Sequence, residues 1–118
     1  MDKWQAINSF WNSFNLIAYD ENSVPDNAVM PYITYNASIG SLDDPLFLSA
    51  SLWYYTSSWA EISQKAEEIS NYIGGGAGVP YDGGRLWITR GTSFAQRMSE
   101  PGSDFTKRIV LQINAEFH

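Results

Sequence analysis

Between Leu48 and Gly76 the hydrophobic period of the chain changes from two to about 3.6 residues, with almost no linker between the two patterns. Within a strand spanning Leu46 to Thr56, residues Leu48, Ala50, Leu52 and Tyr54 alternate as the inward face. Ser58 is then placed to cap a helix, and Glu61, three residues on, completes the pattern of a capping box. Trp59, Ile62, Ala66, Ile69 and Ile73 form one apolar stripe along that helix, and Gly74 supplies the stop. A strand that runs straight into an amphipathic helix confines the chain to folds in which the helix lies back on its own sheet. The segment carries no group poised for chemistry.

The flanking sequence fills in that architecture. Asp2 and Gln5 have the spacing of a first capping box, followed by Trp4, Ile7, Phe10, Trp11 and Phe14 at helical spacing. The opposite side carries Asn8, Ser9, Asn12 and Ser13, without the Lys and Arg that an anionic membrane surface would demand, so the helix is expected to face a core. A short strand is expected around Ile17–Tyr19, then a polar loop punctuated by proline up to Pro31. Ile33, Tyr35, Ala37 and Ile39 alternate, and the GSLDDP turn that follows predicts a hairpin with the Leu46–Thr56 strand. GGGAGVPYDGG reads as a flexible connection, Arg85–Arg90 as a short strand, and Thr92–Thr106 as a long irregular loop. Lys107–Phe117 shows the cleanest alternation, with Ile109, Leu111, Ile113, Ala115 and Phe117 inward and Arg108, Val110, Gln112, Asn114 and Glu116 outward. One-sided strands argue for an antiparallel or mixed sheet with a single covered face. The expected fold is a single α+β domain over residues 1–118, a four- to five-stranded sheet with two helices on one face.

Composition narrows the function classes. The formal net charge of −6 argues against general nucleic-acid binding, which needs clustered cations. Five of the seven basic residues (Arg85, Arg90, Arg97, Lys107 and Arg108) nevertheless fall in the last third. That asymmetry suits a protein meeting copies of itself through unlike faces, and it equally suits an ordinary mixed surface. The absence of cysteine removes disulfides, thiolate metal sites and cysteine nucleophiles, and fits folding in a reducing cytoplasm. No signal-peptide h-region opens the chain, and no apolar run approaches the ~18 residues of a membrane span, so no membrane partner is expected. Aromatic residues make up 15%, more than one small core can hide, so several belong at rims and contacts.

Catalytic constellations are hard to assemble from this inventory. The sole histidine is the last residue, His118, expected to be poorly held and open to reading as a tag remnant. Asp20, Glu21, Asn22 and Asp26 offer oxygen ligands but not the spacing of a calcium loop, so no metal is expected there. GGGAG follows a helix instead of preceding one and lacks the Lys of a phosphate loop. Glu61 is used by the cap, while Glu67 and Glu68 point away from the stripe. Asn36-Ala37-Ser38 matches a glycosylation sequon without a secretory context to use it. The expectation is therefore a protein that is not an enzyme and holds no cofactor or metal.

The Thr92–Thr106 segment presents Phe94, Arg97, Met98 and Phe105, residue types enriched at interfaces. Phe94 and Phe105 also suit small core anchors under the domain. Arg90 joins the contact candidates, as do Trp53 and Tyr55, which point opposite to the core residues of their strand or end it. An alternative is a small peptide- or ligand-binding module working through Trp53, Tyr55 and Trp87.

Taken in order, AINSFWNSFNLIAYDENSVPDNAVMPYITY, SLWYYTSSWAEISQKAEEISNYIG, GGRLWITRGTSFAQRM and RIVLQINAEF resemble the small tail-completion proteins of long-tailed, siphovirus-type phages and prophages of Gram-positive bacteria. The resemblance spans nearly the whole chain and includes tail-terminator-like, neck and minor capsid proteins. It implies an α+β virion protein, made in the bacterial host cytoplasm, that assembles into a ring, commonly of six subunits. It also implies docking to tail or neck proteins, with DNA at most passing through the ring lumen. The family carries no catalytic residues to transfer.

Overall fold

The computed structural model describes residues 1–37 and 46–118. Helix α1 spans Lys3–Trp11 and helix α2 Ala60–Ile73; the strands are β1 (Ala18–Asp20), β2 (Tyr32–Tyr35), β3 (Leu46–Tyr55), β4 (Ala77–Tyr81), β5 (Gly84–Met98) and β6 (Thr106–Phe117). The strands form one sheet in the order β1-β2-β3-β6-β5-β4. β1 pairs parallel to β2 and every other pair is antiparallel, so the sheet is mixed. The α+β class stands, with six strands among the described residues in place of the expected four or five.

The periodic segments behave as their patterns require. In β3, Leu46, Leu48, Ala50, Leu52 and Tyr54 are buried, and in β6 so are Ile109, Leu111, Ile113 and Ala115, with Phe117 half-buried. β6 lies at the centre, paired along most of its length on both sides. Each fully buried Leu or Ile contributes about 1.5–3 kcal/mol, so this ladder of inward side chains is the main source of stability. α2 covers it through Ile62, Ala66, Ile69 and Ile73, and Gly74 (φ 51°) ends the helix by donating its N–H to Ser70.

α1 begins with the reciprocal box: Gln5 N–H donates to Asp2 Oδ1 (2.8 Å) and Asp2 N–H to Gln5 Oε1 (2.9 Å). It touches β1 at one border of the sheet and β4 and β5 at the other, so the sheet curls around it. Ala6, Ile7, Phe10 and Trp11 are buried, whereas Trp4 is 53% exposed and stands outside the stripe the spacing assigned to it. Ala6 takes the inward position instead, on a helix that touches both borders of the curled sheet. The Phe10, Phe14 and Tyr72 rings pack edge-on where α1 meets α2.

Five expectations need correction. GGGAGVPYDGG is not a connection: Ala77–Tyr81 is β4, and the two-residue turn Asp82-Gly83 joins it to β5 in a hairpin. Pro80 and Gly78 are tolerated because β4 is an edge strand. Thr92–Met98 is not loop but the second half of β5, paired with β6. Period-two alternation is broken by a bulge, since β5 advances from Arg90 to Ala95 while β6 moves only from Ile113 to Leu111. The capping box of α2 does not close: Ser58 Oγ accepts from Ala60 N–H (3.0 Å), but the Ser58 N–H turns to the nearer Thr56 Oγ1 (3.4 Å) and Trp59 occupies the cap position. His118 is held by its backbone, exchanging hydrogen bonds with Arg85 at 2.9 and 3.0 Å. The strand expected to run to Ile39 ends at Tyr35, with Asn36 and Ala37 outside it although Asn36 N–H still donates to the Ser49 carbonyl (2.9 Å); Ile39, the 40–45 turn and the sequon's Ser38 lie outside the described residues.

Candidate interaction surface

The register sorts the candidate contact residues onto the two faces of the sheet. Arg90 stands opposite Ile113, Ala95 opposite Leu111 and Arg97 opposite Ile109, so all three β5 residues point to the helix side. There α2 and the second half of β5 enclose a cleft of about 360 Å³ lined by Ser63, Ala66, Glu67, Phe94, Arg97 and Ile109, among others. The floor is apolar, and Phe94 is half-buried against the core. The rims are cationic. Arg97 Nη2 donates to Ser63 Oγ (3.1 Å) and Arg90 Nη1 to Ser70 Oγ (3.0 Å). Those serines sit two helical turns apart, roughly 10 Å. Neither guanidinium has a carboxylate partner among the described residues. Trp59, one helical turn before Ser63, has Arg97 5.0 Å and Lys107 5.6 Å from its ring centroid.

On the opposite face, which neither helix covers, a row of large side chains crosses four strands. Tyr32 faces Trp53, Trp53 faces Arg108 and Arg108 faces Met98. The Arg108 guanidinium lies over the Trp53 ring (4.8 Å) and its Nε donates to Ser51 Oγ (3.0 Å). The Trp53 indole N–H donates to Thr34 Oγ1 (2.9 Å). Tyr55 and Phe105 stack beside this row at 5.6 Å and are 68% and 48% exposed. Phe105 is thus no core anchor. Its carbonyl accepts from Thr56 N–H, which fixes the ring beside Tyr55.

All seven candidates thus lie along the second half of β5 and the strand ends beside it, three on the helix side (Arg90, Phe94, Arg97) and four on the open face or its margin (Trp53, Tyr55, Met98, Phe105). The register of β5 on β6 divides them: Arg90, Phe94 and Arg97 lie beside α2, Met98 joins the row of Trp53, and Tyr55 pairs with Phe105 at its end. Trp87 does not join them: it faces Glu116, eight positions from Arg108 on β6, roughly 26 Å at about 3.3 Å per residue. Its ring lies against the backbone of Gly76, where a Cβ would approach to 2.0 Å. Trp53, Tyr55 and Trp87 therefore form no common patch. Arg108 and Trp59 belong to the surface although their strand and helix patterns alone did not mark them. Arg108 sits opposite Trp53 only once the β3–β6 register is known.

Beyond residue 88, β5 has no strand partner among the described residues on the border away from β6, because the pairing with β4 stops at Ile88, opposite Ala77. The other border of the sheet is closed. Asn12 Oδ1 accepts from Ala18 N–H (3.0 Å) and Asn12 Nδ2 reaches the Ala18 carbonyl (3.5 Å), while Ser23 N–H takes the Asp20 carbonyl. An open edge of this kind is a template for pairing unless something covers it.

Asp20 is engaged locally, its Oδ1 accepting from Asn22 N–H (2.9 Å). No group of three metal-ligating side chains gathers among the described residues. The Tyr54 hydroxyl is held above its ordinary pKa by burial, with the Glu61 and Glu68 carboxylates adding to the effect. No described helix is long and apolar enough to cross a membrane. Comparison with family models, curated proteins and solved structures finds no match.

Proposed function

We propose that this chain is a non-enzymatic structural protein of a long-tailed phage, a tail-completion, tail-terminator or neck component that works by self-association and by docking to its tail or connector. The sequence resemblance supplies the family. The observation that carries the mechanism is the grouping of Arg, Met and aromatic side chains on both faces of an unpaired sheet border. Those side chains line an open cleft and an uncovered face, the anatomy of a contact surface in which aromatic and Arg anchors dominate. On this reading the subunits associate head-to-tail, as a ring of six or another number, and the acidic overall charge lets DNA pass a lumen without being gripped.

The competing module that reads a ligand through Trp53, Tyr55 and Trp87 loses support because Trp87, opposite Glu116, stands far along β6 from the Trp53–Tyr55 end of the face. Light scattering across a concentration series, with negative-stain imaging of the largest species, tests the proposal. Rings or larger particles that grow with concentration are expected. A chain that stays monomeric both alone and with tail proteins of the same phage would contradict it.

A further inference from the structure

The strand register points to a specific partner for the α2–β5 cleft. Ala95, Leu111, Ala50, Tyr35 and Asp20 stand in one cross-strand row, running from the open border at β5 to the closed border at β1. Asp20 faces Tyr35, whose side chain is buried, so Asp20 points to the same helix-side face as Arg90 and Arg97. The turn that follows adds Glu21 and Asp26, both exposed, with Val24 half-buried within it and Val29 (81% exposed) just after it. One border of the sheet therefore offers an apolar cleft rimmed by guanidiniums that lack carboxylate partners among the described residues. The other offers carboxylates that begin, with Asp20, at the same level of the sheet, followed in sequence by aliphatic side chains. Within one copy the two are held apart by four strand spacings, about 19 Å along the sheet.

We infer that the acidic turn Asp20–Asp26 of one copy docks on the α2–β5 cleft of the next, with Glu21 and Asp26 meeting Arg90 and Arg97 and the neighbouring aliphatic side chains covering Phe94 and Ala95. This rests on the self-association proposed above and names its contact. A two-fold antiparallel pairing of the open β5 border with itself, centred on this stretch, would set Arg90 of each copy against Arg97 of the other, a like-charge arrangement that disfavours it. The closed β1 border excludes a continued backbone ladder, so the contact is made by side chains. Glu67 on the cleft wall orients the incoming turn by repelling a carboxylate placed midway between the two arginines. A head-to-tail contact between borders at one level needs no slip along the strands and repeats from copy to copy.

The test is a charge exchange read by light scattering over a concentration series, with circular dichroism to confirm folding. Arg97→Glu alone, and Glu21→Lys with Asp26→Lys together, should each raise the concentration of half-association at least about tenfold. Mixing the two variants, which restores one complementary contact, should recover association to within about threefold of the wild type. Arg97→Gln keeps a hydrogen-bonding group for Ser63 and serves if Arg97→Glu unfolds. Association of the wild type that neither variant weakens would overturn this contact while leaving self-association standing. A wild type that is monomeric throughout, both alone and with tail proteins of the same phage, would overturn both.

Discussion

Arg108 ties the open face together, and its removal gives a stability change that follows from the geometry. In Arg108→Ala the Ser51 hydroxyl, 6% exposed, loses the donor at 3.0 Å. A buried polar group left short of a partner costs about 1–3 kcal/mol. The cation lying 4.8 Å from the Trp53 centroid contributes about 0.5–1 kcal/mol more. The ion pair with Glu100, at 3.5 Å and with side chains 33% and 26% exposed, adds only a few tenths. The sum is about 2–4 kcal/mol. With a urea dependence of about 1–3 kcal/mol per molar, the unfolding midpoint should fall by at least roughly 0.7 M. Arg108→Lys should recover less than half, because an ammonium cannot reproduce the Nε geometry at Ser51. A cycle with Trp53→Leu should show a coupling of at least about 0.5 kcal/mol. An Arg108→Ala midpoint within about 0.3 M of the wild type would refute the reasoning and return Arg108 to the ordinary solvated surface.

Other sites give sharper or more local effects. Gly84→Ala would place a Cβ 1.7 Å from the His118 carbonyl oxygen, so amide exchange at Arg85 and His118 should accelerate, while Gly75→Ala, with nothing within 4 Å, should leave it unchanged. Asn12→Ala removes the side chain that closes the β1 border and should cost about 1–2 kcal/mol in urea unfolding, with β1 amides exchanging first. Tyr54 has a raised folded-state pKa, so its stabilising contribution is complete below the unfolded value of about 10 and is lost as pH rises through the folded one. Denaturant titrations above pH 10 should therefore show a decline that Tyr54→Phe reduces.

The periodic elements were legible in the sequence for a clear reason. β3, α2 and β6 each bury a full stripe, and burial is what the period records. β4 was also legible in principle. Ala77, Val79 and Tyr81 alternate up to Asp82-Gly83, a two-residue hairpin signal obscured by the glycines and proline before it. The second half of β5 was not legible, because the bulge after Arg90 shifts the alternation and most of its side chains remain exposed. The candidate contact residues of the Thr92–Thr106 stretch were picked by type, and Trp53 and Tyr55 by their outward place in the alternation. Their division between cleft and open face depends on the β5–β6 register, which no local pattern encodes. The closing of the β1 border by Asn12 was equally hidden, since a helical asparagine reads as solvated until the strand beside it is placed.

Hydrogen exchange of the Arg90–Met98 amides, followed as protein concentration rises through the onset of association, tests most directly the claim that function lies in this border. The account predicts that protection of this stretch rises with molar mass, together with that of the Asp20–Asp26 turn, while the central β6 amides stay unchanged. Growth in molar mass with no added protection at either border would place the contact elsewhere and contradict the account.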